Sequence, residues 1–332
     1  MVRAGTVQLV LAIALACVSA GACSRDTAAA PAATVRQADI DGVAPDTLLL
    51  PNSPTSVKFA VIGDSGRGTE PQREVADRMT RYHDTFAFPF TIMLGDNLYE
   101  GPATPEDYRV KFEEPYKALI ERGVGFYAAL GNHDDPRQVD YPPFHMKGRR
   151  YYSFAAPGNL LVGVTTPVEL FALDSTNLDR TQLRWLDQRL AASRADWKIC
   201  FLHYPLYTSG RYRMAAFVQR ASLEPLFVTH GVNVVFSGHE HIYQRSTLVG
   251  GVQYFVSGGA GSLRPGDGAR TSYIARTYSG DYHFMLVEIE GDLLHFQAIS
   301  RTGRTIDAGT LSRVGHRPPA APITALGMVG RR

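Results

Sequence analysis

Short apolar runs, each about a strand long, recur from Val57 to Ile299 and alternate with stretches whose apolar residues return every three or four positions. That alternation predicts an α/β fold. Val57–Ile62 reads as a strand, Pro71–Tyr82 as a helix with proline at an early position, and Phe90–Leu94 as the next strand. Pro105–Arg122 reads as one helix and Gly125–Leu130 as a strand. Leu183, Leu186 and Leu190 share one face of a helix that starts near Asp179, a residue type that caps helix N-termini. Strand-like segments at Ile199–Leu202, Val232–Phe236, Val252–Val256, Phe284–Ile289 and Leu293–Ile299, with a helix over Met214–Val228, complete the pattern.

Outside this body the pattern changes. Arg3, the apolar run Val7–Val18 and the small residues before Cys23 read as a secretion signal over 1–22, too short to span a bilayer comfortably. Cleavage after Ala22 would leave Cys23 first, as in a bacterial lipoprotein box, although Ala20 stands where Leu is usual. The expectation is lipidation at Cys23 and a membrane tether, with a plainly secreted protein carrying an incidental Cys as the other reading. Either way the chain is expected to be exported, to the periplasm or outer membrane if the source is Gram-negative. Residues 23–54 read as an Ala/Pro-rich flexible linker, 55–312 as the folded body and 313–332 as a second flexible tail.

At 332 residues and 45% hydrophobic, the chain is long enough for a substantial core. A net charge of +2 gives no case for a nucleic-acid partner. Cys200 is the sole cysteine inside the expected body, so no internal disulfide forms there, and its apolar setting predicts a buried, inert thiol. Function must be sought in a site.

Five apolar segments end in loops that carry metal-binding side chains: Gly63-Asp64-Ser65-Gly66, Gly95-Asp96-Asn97-Leu98-Tyr99, Gly131-Asn132-His133-Asp134, His203-Tyr204-Pro205 and Gly238-His239-Glu240-His241. Ligands gather at the carboxyl ends of strands in α/β sheets, where these loops would lie. Carboxylate, phenol, amide and imidazole together suit Fe, Mn or Zn better than Ca or Mg. The two oxygens of Asp96 allow it to bridge a pair of ions. Gly258-Gly259-Ala260-Gly261 lacks the Lys-Ser/Thr of a P-loop and is expected to serve close packing. Asp174, after another strand-like segment, is expected to be structural rather than a phosphorylated nucleophile.

In this order, GDSG, GDNLY, GNHD, HYP and GHEH resemble the purple acid phosphatases, especially the tartrate-resistant type, of the calcineurin-like metallophosphoesterases. The resemblance implies a four-layer α-β-β-α sandwich with two mixed sheets. It implies Fe(III) on Asp64, Asp96, Tyr99 and His241, and Fe(II), Zn or Mn on Asp96, Asn132, His203 and His239. A metal-activated hydroxide would hydrolyse small phosphate monoesters. Asn132 and His133 would contact the phosphate, His133 would protonate the leaving alcohol, and Asp134 would either orient His133 or stabilise its turn. Where animal relatives carry a second His after HYP, this chain has Tyr207 to Arg213, so Arg211 or Arg213 would grip phosphate, with a solvated surface as their other reading. A phosphodiesterase and a non-catalytic surface metal-binding protein are the alternative functions.

Overall fold

The computed structural model describes residues 33–157 and 167–313. The expected signal at 1–22, Cys23 and the tail from 314 onward lie outside the described residues.

In chain order the strands are β1 (Thr34–Gln37), β2 (Val57–Ile62), β3 (Phe90–Met93), β4 (Gly125–Ala128), β5 (Tyr152–Ala155), β6 (Val168–Ala172) and β7 (Trp197–Leu202). They continue as β8 (Val234–Ser237), β9 (Tyr243–Ser246), β10 (Gln253–Ser257), β11 (Ile274–Tyr278), β12 (His283–Glu290), β13 (Leu293–Ser300) and β14 (Thr305–Ser312). The longer helices are α1 (Glu70–Thr85), α2 (Arg180–Ala192) and α3 (Ala215–Thr229).

Two seven-stranded mixed sheets result, ordered β1-β14-β13-β12-β2-β3-β4 and β11-β9-β10-β8-β7-β6-β5. Within them β2, β3 and β4 run parallel, as do β6, β7, β8 and β10. Strands buried on both faces need apolar residues at consecutive positions, and Phe59-Ala60-Val61-Ile62 and Ile199-Cys200-Phe201-Leu202 are all fully buried. The sheets meet through aromatic rings: Phe59 stacks on Phe90 of its own sheet at 5.2 Å and meets Phe236 of the other edge-on at 6.1 Å. On the outer face of the second sheet, Leu186 and Leu190 of α2 and Leu223 and Phe227 of α3 pack with Phe171, Cys200 and Val235. Tyr82 of α1 meets Phe284 of the first sheet at 5.9 Å. Helix, sheet, sheet and helix thus form the four expected layers. Asp179 caps α2 by accepting the Gln182 N–H at 2.7 Å, as its residue type predicts.

Two expectations are corrected. The segment 105–122 is not one helix: turns at Pro105–Tyr108 and Lys117–Glu121 flank a π-turn at Arg109–Glu113. Pro115 has no N–H to donate and its ring clashes with the carbonyl four residues back. Nor are residues 33–54 free to flex. β1 pairs with β14 as an edge strand, Leu50 is buried, and the Asn52 and Ser53 N–H groups donate to Glu288 at 2.7 and 2.6 Å.

A buried polar cluster ties this edge together. Asp307 on β14 accepts from Tyr243 and Arg245 of β9 at 2.7 Å each, and from Gln37 of β1 at 2.7 Å. Asp307→Ala leaves Arg245 buried without its partner and should lower stability by about 3–5 kcal/mol in urea denaturation. His283 gives a pH effect: fully buried, its imidazole is pushed down to about 4 by loss of solvation. The unfolded chain therefore takes up a proton that the folded one refuses, and the stability present above pH 6.5 declines as pH falls toward 4. Comparing wild type with His283→Gln by denaturation at both pH values should isolate a loss of about 3 kcal/mol.

Candidate metal centre

The five loops follow β2, β3, β4, β7 and β8, so their residues converge where the parallel strands of both sheets end. Eight non-glycine residues among those described have positive φ, and three are expected ligands: Asp64 at 55°, Asp96 at 52° and His239 at 67°. That conformation costs about 1–2 kcal/mol per residue. It persists because the loops clamp one another: the Asp64 N–H donates to Gly95 O at 3.0 Å, and the Gly238 N–H to His203 O at 3.0 Å. The neighbouring glycines leave the carboxylates room. A Cβ on Gly131 would lie 2.2 Å from Asp96 Oδ1, and one on Gly238 2.5 Å from Asp64 Oδ2.

On one side of the centre, the Tyr99 hydroxyl lies 3.2 Å from Asp64 Oδ1 and 3.1 Å from His241 Nε2. One ligand atom from each of Asp64, Asp96 and His241 falls within 4.8 Å of the others. On the other side, His203 Nε2 lies 3.0 Å from Asn132 Oδ1 and 3.4 Å from Asp96 Oδ1, and the His203 and His239 rings are 5.0 Å apart. His203 Nδ1 donates to the Leu94 carbonyl at 2.9 Å, which leaves Nε2 turned inward toward Asn132 and Asp96.

Charge sharpens the point. Asp64 and Asp96 are 0% and 1% exposed, and among the described residues neither forms an ion pair with Lys or Arg. Burial, reinforced by the Asp96 charge, raises the Asp64 carboxyl to about 7. Burial also pushes Asp96 upward, but His203, the His133 N–H and Tyr99 outweigh it and hold Asp96 below its usual range. Burial and the two carboxylates push the Tyr99 phenol far up. Burial first, then neighbouring positive charge, brings His239 down to about 3 and His241 to about 4, so both imidazoles are neutral at pH 7. Buried carboxylates without cationic partners, beside neutral imidazoles with free lone pairs, fit metal cations.

Asn132 and His133 are exposed at the mouth, with the His133 ring 4.8 Å from that of Tyr99 and its N–H on Asp96 Oδ1 at 3.0 Å. Asp134 does not orient His133. Its oxygens accept from the Gly131 and Leu98 N–H groups at 2.7 and 3.0 Å and from Asn97 and Gln138 at 3.0 Å each, so it organises the turn. Arg211 and Arg213 are both exposed, the solvated setting that was one of their two expected readings. Tyr212 between them is the residue that reaches the centre, its ring 4.4 Å from that of His239.

The Gly-rich turn serves packing, since a Cβ on Gly258 would lie 2.3 Å from Glu240 O and one on Gly261 2.2 Å from Ser65 O. Asp174 pairs with Arg150 at 2.5 Å and is structural. Two residues escaped sequence reading. Arg67 lies 3.5 Å over the Tyr99 ring, and Arg264 stacks at 4.8 Å on Tyr212 beside buried Glu240. Arg67 follows the first ligand loop directly, a placement that could have flagged it.

Comparison with known proteins agrees with this geometry. The family described as calcineurin-like phosphoesterase matches residues 57–243, which hold every expected ligand. The chain is similar to human tartrate-resistant acid phosphatase type 5, at 28% identity over 255 residues, 66% of this chain and 78% of that protein. Among solved structures, GAP50, the anchor in the inner membrane complex of Plasmodium, aligns with a TM-score of 0.67 at 19% identity, covering 78% of this chain and 89% of the other. Purple acid phosphatase PPD1 from yellow lupin seeds aligns with a TM-score of 0.58 at 16% identity, covering 79% and 54%. At those identities the structural likeness speaks to the fold, while the matched span carries the assignment: this chain belongs to the calcineurin-like phosphoesterase family.

Proposed function

We propose that this protein is an exported two-metal phosphatase that hydrolyses small phosphate monoesters. The observation that carries the reading is the pair of buried carboxylates, Asp64 and Asp96, with neutral imidazoles around them and no Lys or Arg partner among the described residues. One ion, Fe(III), is assigned to Asp64, Asp96, Tyr99 and His241. The other, Fe(II), Zn or Mn, is assigned to Asp96, Asn132, His203 and His239. When bound, the ions would supply Lewis acidity toward a phosphate ester and toward water.

The chain's own residues do the rest. Asn132 and His133 stand exposed at the mouth, where an entering phosphate meets them first. The His133 imidazole has an edge free to hydrogen-bond the ester and hand a proton to the departing alkoxide. Its ring rests near Tyr99, and its N–H on Asp96 couples the loop to the bridging carboxylate. Asp134 holds that loop by four hydrogen bonds. Tyr212 and Tyr204 border His239 and restrict the approach from its side. The apolar run before Cys23 supports export, and Cys23 supports a lipid tether as part of the same proposal.

Release of phosphate from an aryl monophosphate by metal-loaded protein tests the reading, with the corresponding diester assayed beside it. Monoester turnover should dominate and should disappear in Asp96→Ala; absence of turnover, or preference for the diester, would count against it. His133→Ala should lower kcat by roughly 10²–10⁴-fold with metal content unchanged, as measured by elemental analysis, because the ring acts on substrate rather than holding an ion.

A further inference from the structure

A cavity of about 360 Å³ adjoins the centre and has His241 in its wall. That is large enough for a small organic ligand. Arg67, Thr69, Ser262, Leu263 and Tyr282 also line it, and no carboxylate does. Arg67 is positioned there by its stacking over Tyr99 and by donation from Nε to Ser262 Oγ at 3.0 Å. Its Nη1 reaches Glu100 at 3.3 Å, but that carboxylate side chain is 84% exposed, and such a pair is worth little and is readily exchanged. Arg67 Nη2 has no hydrogen-bond partner among the described residues. The Thr69 hydroxyl, at the start of α1, makes no capping bond.

A guanidinium with a free Nη2, beside hydroxyls and paired only with an exposed carboxylate, is suited to a carboxylate or phosphate. His241 links the cavity to the centre, its Nε2 lying 3.4 Å from Asp64 Oδ1. An anion on Arg67 therefore sits within the span of one small molecule from a phosphate over the metals. Leu263 and Pro71 supply apolar wall for the carbon skeleton between the two charges.

We propose that this cavity is a second anion subsite and that Arg67 determines specificity for phosphate monoesters bearing a further carboxylate or phosphate group. This rests on the phosphatase reading. The test compares 3-phosphoglycerate with glycerol 3-phosphate, which differ in the carboxylate. Wild-type kcat/KM should favour the charged ester by about tenfold or more, a margin typical of one well-placed polar contact. Arg67→Gln should erase that ratio, and Arg67→Lys should restore part of it.

Since Arg67 also touches Tyr99, metal content and the visible spectrum of each variant report whether the centre itself has changed. Calorimetric binding of phosphonoacetate against methylphosphonate gives the same comparison without turnover and should show the same preference. Equal treatment of the two members of each pair by wild type, or a preference that survives Arg67→Gln, overturns the subsite. If neither these esters nor the aryl monophosphate is hydrolysed, the phosphatase reading fails, and the phosphonate pair still decides whether the subsite exists.

Discussion

Two carboxylates, Asp64 and Asp96, lie buried side by side, and among the described residues neither pairs with Lys or Arg. Asp64 and Asp96 end adjacent parallel strands, and their left-handed backbones turn both side chains into one small space. Left alone, such a pair repels, which is why burial and its neighbour raise Asp64 to about 7. Much of the surrounding structure follows from this conflict. Gly131 and Gly238 are small because the carboxylate oxygens occupy the space a side chain would need. His203 is held by the Leu94 carbonyl so that its Nε2 faces inward, and Asp134 is spent on the turn that carries Asn132 and His133. Cations held between the two carboxylates would relieve the conflict.

The two sheets make the convergence possible. Asp64, Asp96 and Asn132 come from one sheet, and His203 and His239 from the other. Aromatic packing between the sheets, such as Phe59 against Phe236, sets the distance across which the imidazoles meet the carboxylates. The Asp307 cluster secures the same two layers through β9 and β14. Damage to that packing is therefore expected to reach the proposed metal site even though none of its side chains is touched.

Much of this was legible in the sequence because strands buried on both faces write continuous apolar runs, and the ligand loops follow those runs directly. β2, β3 and β7 fell within two residues of where hydrophobicity put them. The same signal misled at the edges. β1 is mostly exposed, and its polar Thr-Val-Arg-Gln pattern resembles a linker. The 105–122 segment has helical periodicity, which Pro115 interrupts without erasing it. Within the site, motif spacing located the ligand types but not the direction of each side chain. Asp134 follows His133 yet points away from it, and Tyr212 reaches His239 while its arginine neighbours face solvent. Arg67 was hidden because its partners, Tyr99 and Ser262, are far away along the chain.

In the proposed two-metal reading Tyr99 is the distinguishing ligand, since a phenol pushed so far toward its neutral form by burial and two carboxylates would ionise only against a strongly charged cation. The most direct test is the visible absorption spectrum of purified protein, measured with its metal content, for wild type and Tyr99→Phe. The account predicts two metal ions per chain, at least one of them iron, with a tyrosinate-to-Fe(III) band that Tyr99→Phe abolishes while iron is retained. A colourless, iron-free protein with full phosphatase activity would contradict it.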